Sequence, residues 1–178
     1  MLRHPIVIGV LSLGLLAGCA SGPGHPETVS FDAPAEVQET APLGGEGLAL
    51  RKRDLRRSHR DMSNYHTTLM SLHARKDRNG LVMFNRYLDA YMHTHLAPML
   101  EAEWQSRHPE LMALDANLRL ATADVLVRMR ETRRAQATIN EIRRRFAGRE
   151  SLLVEYPIGD QTTLEKALLS LEQRKWRG

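Results

Sequence analysis

Beyond residue 47, apolar residues recur at threes and fours along most of the chain, and that spacing predicts helices. In the first stretch Leu48, Leu55, Met62 and Leu69 repeat at sevens, with Tyr65 and Leu72 at the alternate positions. A second stretch carries Leu81, Phe84, Leu88, Tyr91 and His95 in the same alternation. The third is the longest: Leu111, Leu114, Leu118, Ala121 and Val125, then Arg128 and Thr132, then Ala135, Ile139, Ile142 and Phe146. Such positions share one stripe of a helix and form the seam between packed helices. A last stretch puts Leu164, Leu168 and Leu171 on one face.

Helix-breaking and capping residues divide these stretches. Asn79-Gly80 predicts the end of the first helix and a tight connection. Pro98 predicts a kink or split in the second. Ser106 or His108, followed by Pro109, predicts the start of the third, and Gly148 its end. That is one helix of about 57 Å at 1.5 Å per residue. Arg128 and Thr132 on its seam imply that it outruns its partners there, or that Arg128 snorkels. Residues 151–159 predict an apolar extended segment along the helices, and Thr162 with Glu165 reads as a capping box. The expected fold is all-α: an up-down bundle of three long helices plus a shorter C-terminal helix, in a domain spanning 48–178.

The N-terminus changes the picture. After Arg3 and His4 comes an apolar run from Pro5 to Gly18. It has about fourteen residues where a membrane span needs roughly 20, so it suits an export signal. Leu16-Ala17-Gly18-Cys19 resembles the lipobox of bacterial lipoproteins. The resemblance implies a signal peptide at 1–18, a diacylglyceryl group on the Cys19 thiol, cleavage before Cys19 and acylation of its amine. Several acyl chains anchor stably where one would not, at about 0.8 kcal/mol per buried CH₂. Ala20 in place of Asp implies the outer membrane, facing the periplasm, in a host with two membranes. Cys19 is the single cysteine, so no disulfide forms within the chain.

Charge divides the remainder. Residues 19–47 contain Glu27, Asp32, Glu36, Glu39 and Glu46, no Lys or Arg, and frequent Pro and Gly. That composition predicts a disordered acidic linker. The whole chain has 25 Lys and Arg against 21 Asp and Glu. From Leu48 onward the balance is 24 to 16, so the helical domain is basic. Arg51, Lys52, Arg53, Arg56, Arg57 and Arg60 concentrate on the first helix with Asp54 as the one acid inside the run. They are the candidate partner-binding residues. Arg130, Arg133 and Arg134 also read as outward-facing, with Arg143, Arg144, Arg145 and Arg149 further on. There, Glu131 and Glu141 lie at pairing distance along the helix. A cationic strip on an envelope protein suits an envelope protein partner or an anionic envelope polymer. Nucleic acid fits the charge but not the compartment.

Other candidate chemistry is sparse. His59, His66 and His73 repeat at sevens, about 10.5 Å apart along a helix and too far for one ion. With no HExxH or His-x-x-x-His pair, no metal ligands are assigned. The methionines read as core filler. No G-x-S-x-G, phosphate-cradling loop or free cysteine nucleophile occurs, so no catalytic residue and no cofactor is expected. The C-terminal Arg174-Lys175-Trp176-Arg177-Gly178 is similar to the basic-aromatic ending of the major murein lipoprotein, but Gly178 has no ε-amine for a wall linkage. The expected function is a non-enzymatic, lipid-anchored adaptor or binding module for an anionic partner. A periplasmic metal-binding or sensing protein and a peptidoglycan-associated structural lipoprotein are the alternatives.

Overall fold

A computed structural model describes residues 44–157 and 159–175. Helices make up most of them, with one small two-stranded sheet. Helix α1 spans Gly45–Ala74, so Gly45, Glu46 and Gly47, expected as the end of the linker, form its first turn. Glu46 there complements the positive end of the helix. Helix α2 spans Arg78–Tyr91 and runs into a π turn at Met92–Leu96, then α3 at Ala97–Glu101 and a 3₁₀ turn at Glu103–Ser106. Helices α4 (Met112–Arg128) and α5 (Thr132–Arg145) follow. The chain ends its regular structure with β1 (Leu153–Glu155), β2 (Gln161–Thr163) and α6 (Leu164–Lys175). Among the described residues, no helix is long and apolar enough to cross a membrane.

The predicted stripes are largely buried, except that in the second only Leu88 is fully so and His95 is exposed. Leu55, Met62, Leu69, Leu88, Leu111, Leu118, Val125, Ala135, Ile139, Ile142, Leu164 and Leu171 are in the core. Two apolar clusters share α4 between them. Leu118, Ala121 and Val125 pack toward α1 and α2, while Ala116, Leu120 and Ala123 pack toward α5, the hairpin and α6. Of the methionines, Met62 and Met92 are buried but Met70 and Met83 are exposed.

Three long helices were expected, and α1 alone is a single unbroken helix, though it stops at Ala74, short of the expected Asn79-Gly80. The second is interrupted ahead of Pro98. Lacking an N–H, Pro98 cannot bond back to Thr94, and its ring crowds that carbonyl. The chain widens into the π turn, where the Ala97 N–H bonds to the Met92 carbonyl. The third predicted helix is two helices, broken at 129–131, so the seam interruption at Arg128 and Thr132 marks a helix end rather than an overhang. It also starts at Met112, because residues 108–111 form a separate turn after Pro109.

Both internal breaks use one device. After α1 the N–H of Lys76 bonds to His73 and that of Asp77 to Leu72. After α4 the N–H of Arg130 bonds to Val127 and that of Glu131 to Leu126. These are Schellman caps, and the left-handed residues are Lys76 (φ 55°) and Arg130 (φ 63°) rather than glycine. Asn79-Gly80, expected as the stop, instead sits in the first turn of α2, where the Gly80 N–H donates to Asp77 Oδ1 at 2.8 Å. A Cβ on Gly80 would lie 2.8 Å from both Asp77 Cγ and Leu72 Cδ2, so a larger residue there would have to displace the capping Asp77 side chain and Leu72.

The extended segment becomes a hairpin, with Val154 opposite Thr162 and Glu155 opposite Gln161. Pairing places Thr162 in the sheet, which moves the cap of α6 to Thr163. Its Oγ1 accepts the Lys166 N–H at 3.4 Å, and the carbonyls of Leu152 and Glu150 take the N–H groups of Leu164 and Glu165.

Replacing a strained left-handed residue with glycine relieves about 1–2 kcal/mol of steric cost. Glycine also loosens the unfolded chain, by about 0.4–1 kcal/mol. Arg130→Gly is therefore expected to stabilise the fold by about 0.5–1 kcal/mol, and Lys76→Gly likewise. The check is a urea midpoint for each variant, with an unchanged or lower midpoint contradicting the cap assignment.

Candidate binding face and groove of the first helix

The six predicted cations of α1 do not act as one strip. Arg51 is half-buried, its guanidinium 5.7 Å above the ring of Trp104. Lys52 pairs with Glu110, and Arg53 Nη2 lies 3.5 Å from Asp54. These residues are turned toward the chain around residues 103–111 or toward a neighbouring acid. Arg56, Arg57 and Arg60 are exposed and make no ion pair with any described residue. They follow at i, i+1 and i+4, which keeps them on one side of the helix.

The later arginines are largely engaged. Arg134 meets Asp89 at 2.6 Å, Arg143 meets Glu172 at 2.9 Å, and Arg144 holds both Glu141 (2.8 Å) and Glu103 (3.1 Å). Arg145 shares those two acids. The Arg144 and Arg145 contacts hold the Glu141 carboxyl down, to about 2, against a smaller opposing effect of burial. Cys19 lies outside the described residues.

Beside Arg57 a groove of about 510 Å³ opens between α1 and the α2–π segment. From α1 it is lined by Asp54, Arg57, Asp61 and Tyr65; from the opposite wall come Tyr87, Tyr91 and His95. The π turn carries His95 to the groove, and such turns often sit at functional sites. Phenol hydroxyls converge within it. Tyr65 and Tyr87 hydroxyls lie 2.9 Å apart, and the Tyr91 hydroxyl donates to Asp61 Oδ2 at 3.2 Å. Burial, reinforced by Asp61, pushes the Tyr91 phenol up to about 12, so it stays a neutral donor at physiological pH. Edge-on contacts of Tyr65 with Phe84, Tyr87 and Tyr91 at 5.1–5.9 Å tie the two walls together.

A second polar constellation, absent from the sequence reading, lies inside the fold. Asp124 on α4 is buried, with His66 Nδ1 of α1 at 2.5 Å from Oδ2. Even at this approach His66 Nδ1 is buried without an aligned hydrogen bond. Oδ1 accepts the Tyr156 hydroxyl at 3.2 Å, and Arg174 Nη1 of α6 lies 3.4 Å away. Burial pushes the Asp124 carboxyl up, but His66, Arg174 and Arg128 outweigh it and hold it below the ordinary 3.8. The adjoining cavity measures about 30 Å³, room for about one water and no substrate. This cluster therefore joins four parts of the fold and does not form an open site.

The remaining histidines do not converge. His59 is half-buried near Glu155, and desolvation holds its imidazole low despite that carboxylate. His73 is exposed, with Nε2 3.4 Å from the Arg128 carbonyl. No three His, Cys, Asp or Glu side chains among the described residues are grouped to hold a metal ion. Comparison with family models, curated proteins and solved structures finds no match for this chain.

Asp124→Asn leaves His66 and Arg174 facing an uncharged amide and is expected to cost about 3 kcal/mol, the range for breaking a buried pair. The folded carboxyl titrates below its unfolded value, so its stabilisation is complete above about pH 4 and fades as pH falls through the folded value. Urea unfolding of the native chain and the variant from pH 7 downward checks both points. The gap between them should narrow in acid, and a constant gap would contradict the charge assignment.

Proposed function

We propose that this chain is a lipid-anchored cell-envelope protein, a non-enzymatic adaptor or binding module that engages an anionic partner through α1. The anchor in this reading is Cys19, by the lipobox resemblance, and the address is the outer membrane facing the periplasm. The observation that carries the reading is the exposure of Arg56, Arg57 and Arg60 on one side of α1 without an ion-paired acid. Arg134, Arg143, Arg144 and Arg145 of α5 are engaged with acids, whereas this face of α1 is open cationic surface, and such surface raises the local concentration and association rate of anions. Three-residue connections after α1 and α4 support the up-down course of the helices that presents this face. The basic face is read as the binding residues Arg56, Arg57 and Arg60, with Arg51, Lys52 and Arg53 supporting the helix from beside it.

Two measurements test this. Metabolic labelling with an alkyne-tagged fatty acid should mark the native chain and leave Cys19→Ala unmarked; equal labelling would remove the anchor. In-cell crosslinking should capture an envelope component with the native chain and lose it when Arg56, Arg57 and Arg60 all become Glu. An identical capture profile for both proteins would remove the α1 face from partner binding. Reversing three exposed charges changes affinity by about tenfold or more at low salt and less as salt is raised.

A further inference from the structure

The groove beside the arginines carries groups that a simple anion would not need. Apart from Glu46 in its first turn, α1 has two carboxylates, Asp54 and Asp61, and both line the groove on either side of Arg57. A polyphosphate or an acidic peptide entering from the arginine face would meet them as like charges. A ligand rich in hydroxyl groups would use them, because a carboxylate accepts two or more hydrogen bonds and has none to give.

The opposite wall completes that chemistry. Each phenol hydroxyl both donates and accepts, matching the two-way capacity of a sugar hydroxyl. Phe84, Tyr87 and Tyr91 follow one another with ring planes only 23° and 25° apart, and Tyr87 is 51% exposed. These rings stack in series along α2, and the exposed Tyr87 ring is the one that can pack against the C–H face of a sugar ring. From Asp54 to Tyr65 the groove follows eleven residues of α1, about 16 Å. Its volume of about 510 Å³ is that of a small-ligand site. The length suits an elongated oligomer. Arg57 lies between the two carboxylates, and Arg56 and Arg60 flank it outside, where planar guanidinium groups can bind a carboxylate or phosphate bidentately.

We propose that the anionic partner is an acidic saccharide, its carboxylate or phosphate on Arg56, Arg57 and Arg60 and its hydroxyls in the groove of Asp54, Asp61, Tyr87 and Tyr91. The inference rests on the reading of α1 as an anion-binding face and goes beyond it by naming the chemical class. The acid group supplies attraction to a basic surface. The groove supplies discrimination, since its carboxylates and phenols can exchange hydrogen bonds with a ligand's hydroxyls, which a ligand without them cannot match.

Isothermal titration calorimetry on the purified full-length protein tests this with three probes. They are a tetrasaccharide of alternating glucuronate and N-acetylglucosamine, the uncharged N-acetylglucosamine tetramer, and an oligoglutamate of the same charge as the first. The acidic tetrasaccharide should bind tightest of the three. Tyr87→Ala and Asp61→Asn should each weaken it about tenfold, the loss expected from one hydrogen bond to a charged or well-placed group. Neither variant should weaken oligoglutamate, whereas Arg57→Gln should weaken both anions. Tyr87 is half exposed, so its variant tests the groove even if Asp61→Asn unfolds.

Equal binding of the two anions, unchanged by either groove variant, would overturn the saccharide and leave the anion-binding face standing. Equal binding of the charged and uncharged tetrasaccharides would overturn the acid requirement. Binding of neither anion would overturn the α1 reading itself, and the saccharide with it.

Discussion

The burial of α4 on nearly every side is the constraint on which the rest of the structure depends. From Asp115 to Leu126 almost every residue is removed from solvent, charged ones included. A charge taken out of water costs several kcal/mol unless a partner meets it. The helix therefore dictates what surrounds it. Asp115 and Arg119, one turn apart, bond at 2.9 Å, and Arg119 reaches on to the Leu100 carbonyl. Gln105 donates from the same region to the Met99 carbonyl at 2.6 Å. The Arg119 bond pins the irregular chain between Pro98 and Ser106 against α4, beside Met99, Leu100 and Trp104 packed on the core, while the Gln105 bond ties that chain to itself. At the other end Asp124 draws in His66, Tyr156 and Arg174 and so fixes α1, the hairpin and α6 around one carboxylate.

Docking α1 on α4 then decides what α1 can offer. Its buried stripe of Leu55, Met62 and Leu69 faces inward. The flank toward the loop after α3 spends Arg51 on Trp104 and Lys52 on Glu110. The flank toward α2 carries Asp54, Asp61 and Tyr65 into the groove. What is left outside is Arg53, beside Asp54, with Arg56, Arg57 and Arg60. A run of six cations thus resolves into structural and available members. The distinction arises from helix phase together with the place where neighbouring chain crosses.

The groove has a parallel origin. Aromatic contacts of Tyr65 hold α1 and α2 at one end, and the π turn ahead of Pro98 redirects the chain at the other. Between them the helices leave space that neither fills. Polar side chains remain there because the space opens to water, although burial is enough to push the Tyr91 phenol up.

By itself the sequence determined most of the apolar residues inside and that the domain is helical, because the three-four spacing of apolar positions survives any rearrangement of the helices. Leu118, Val125, Ile139 and Leu168 were legible for that reason. Helix ends at Lys76 and Arg130 were not. A left-handed cap on an exposed lysine or arginine carries no compositional mark, since glycine or asparagine is the residue that usually signals it. The Asp124 cluster was equally hidden, with partners 58, 32 and 50 positions away at His66, Tyr156 and Arg174. Only the tertiary structure decided which charges of α1 are spent and which remain free. Ion pairs form between side chains brought together by the packing of other residues, and the helix that carries the arginines does not encode which acids will reach it.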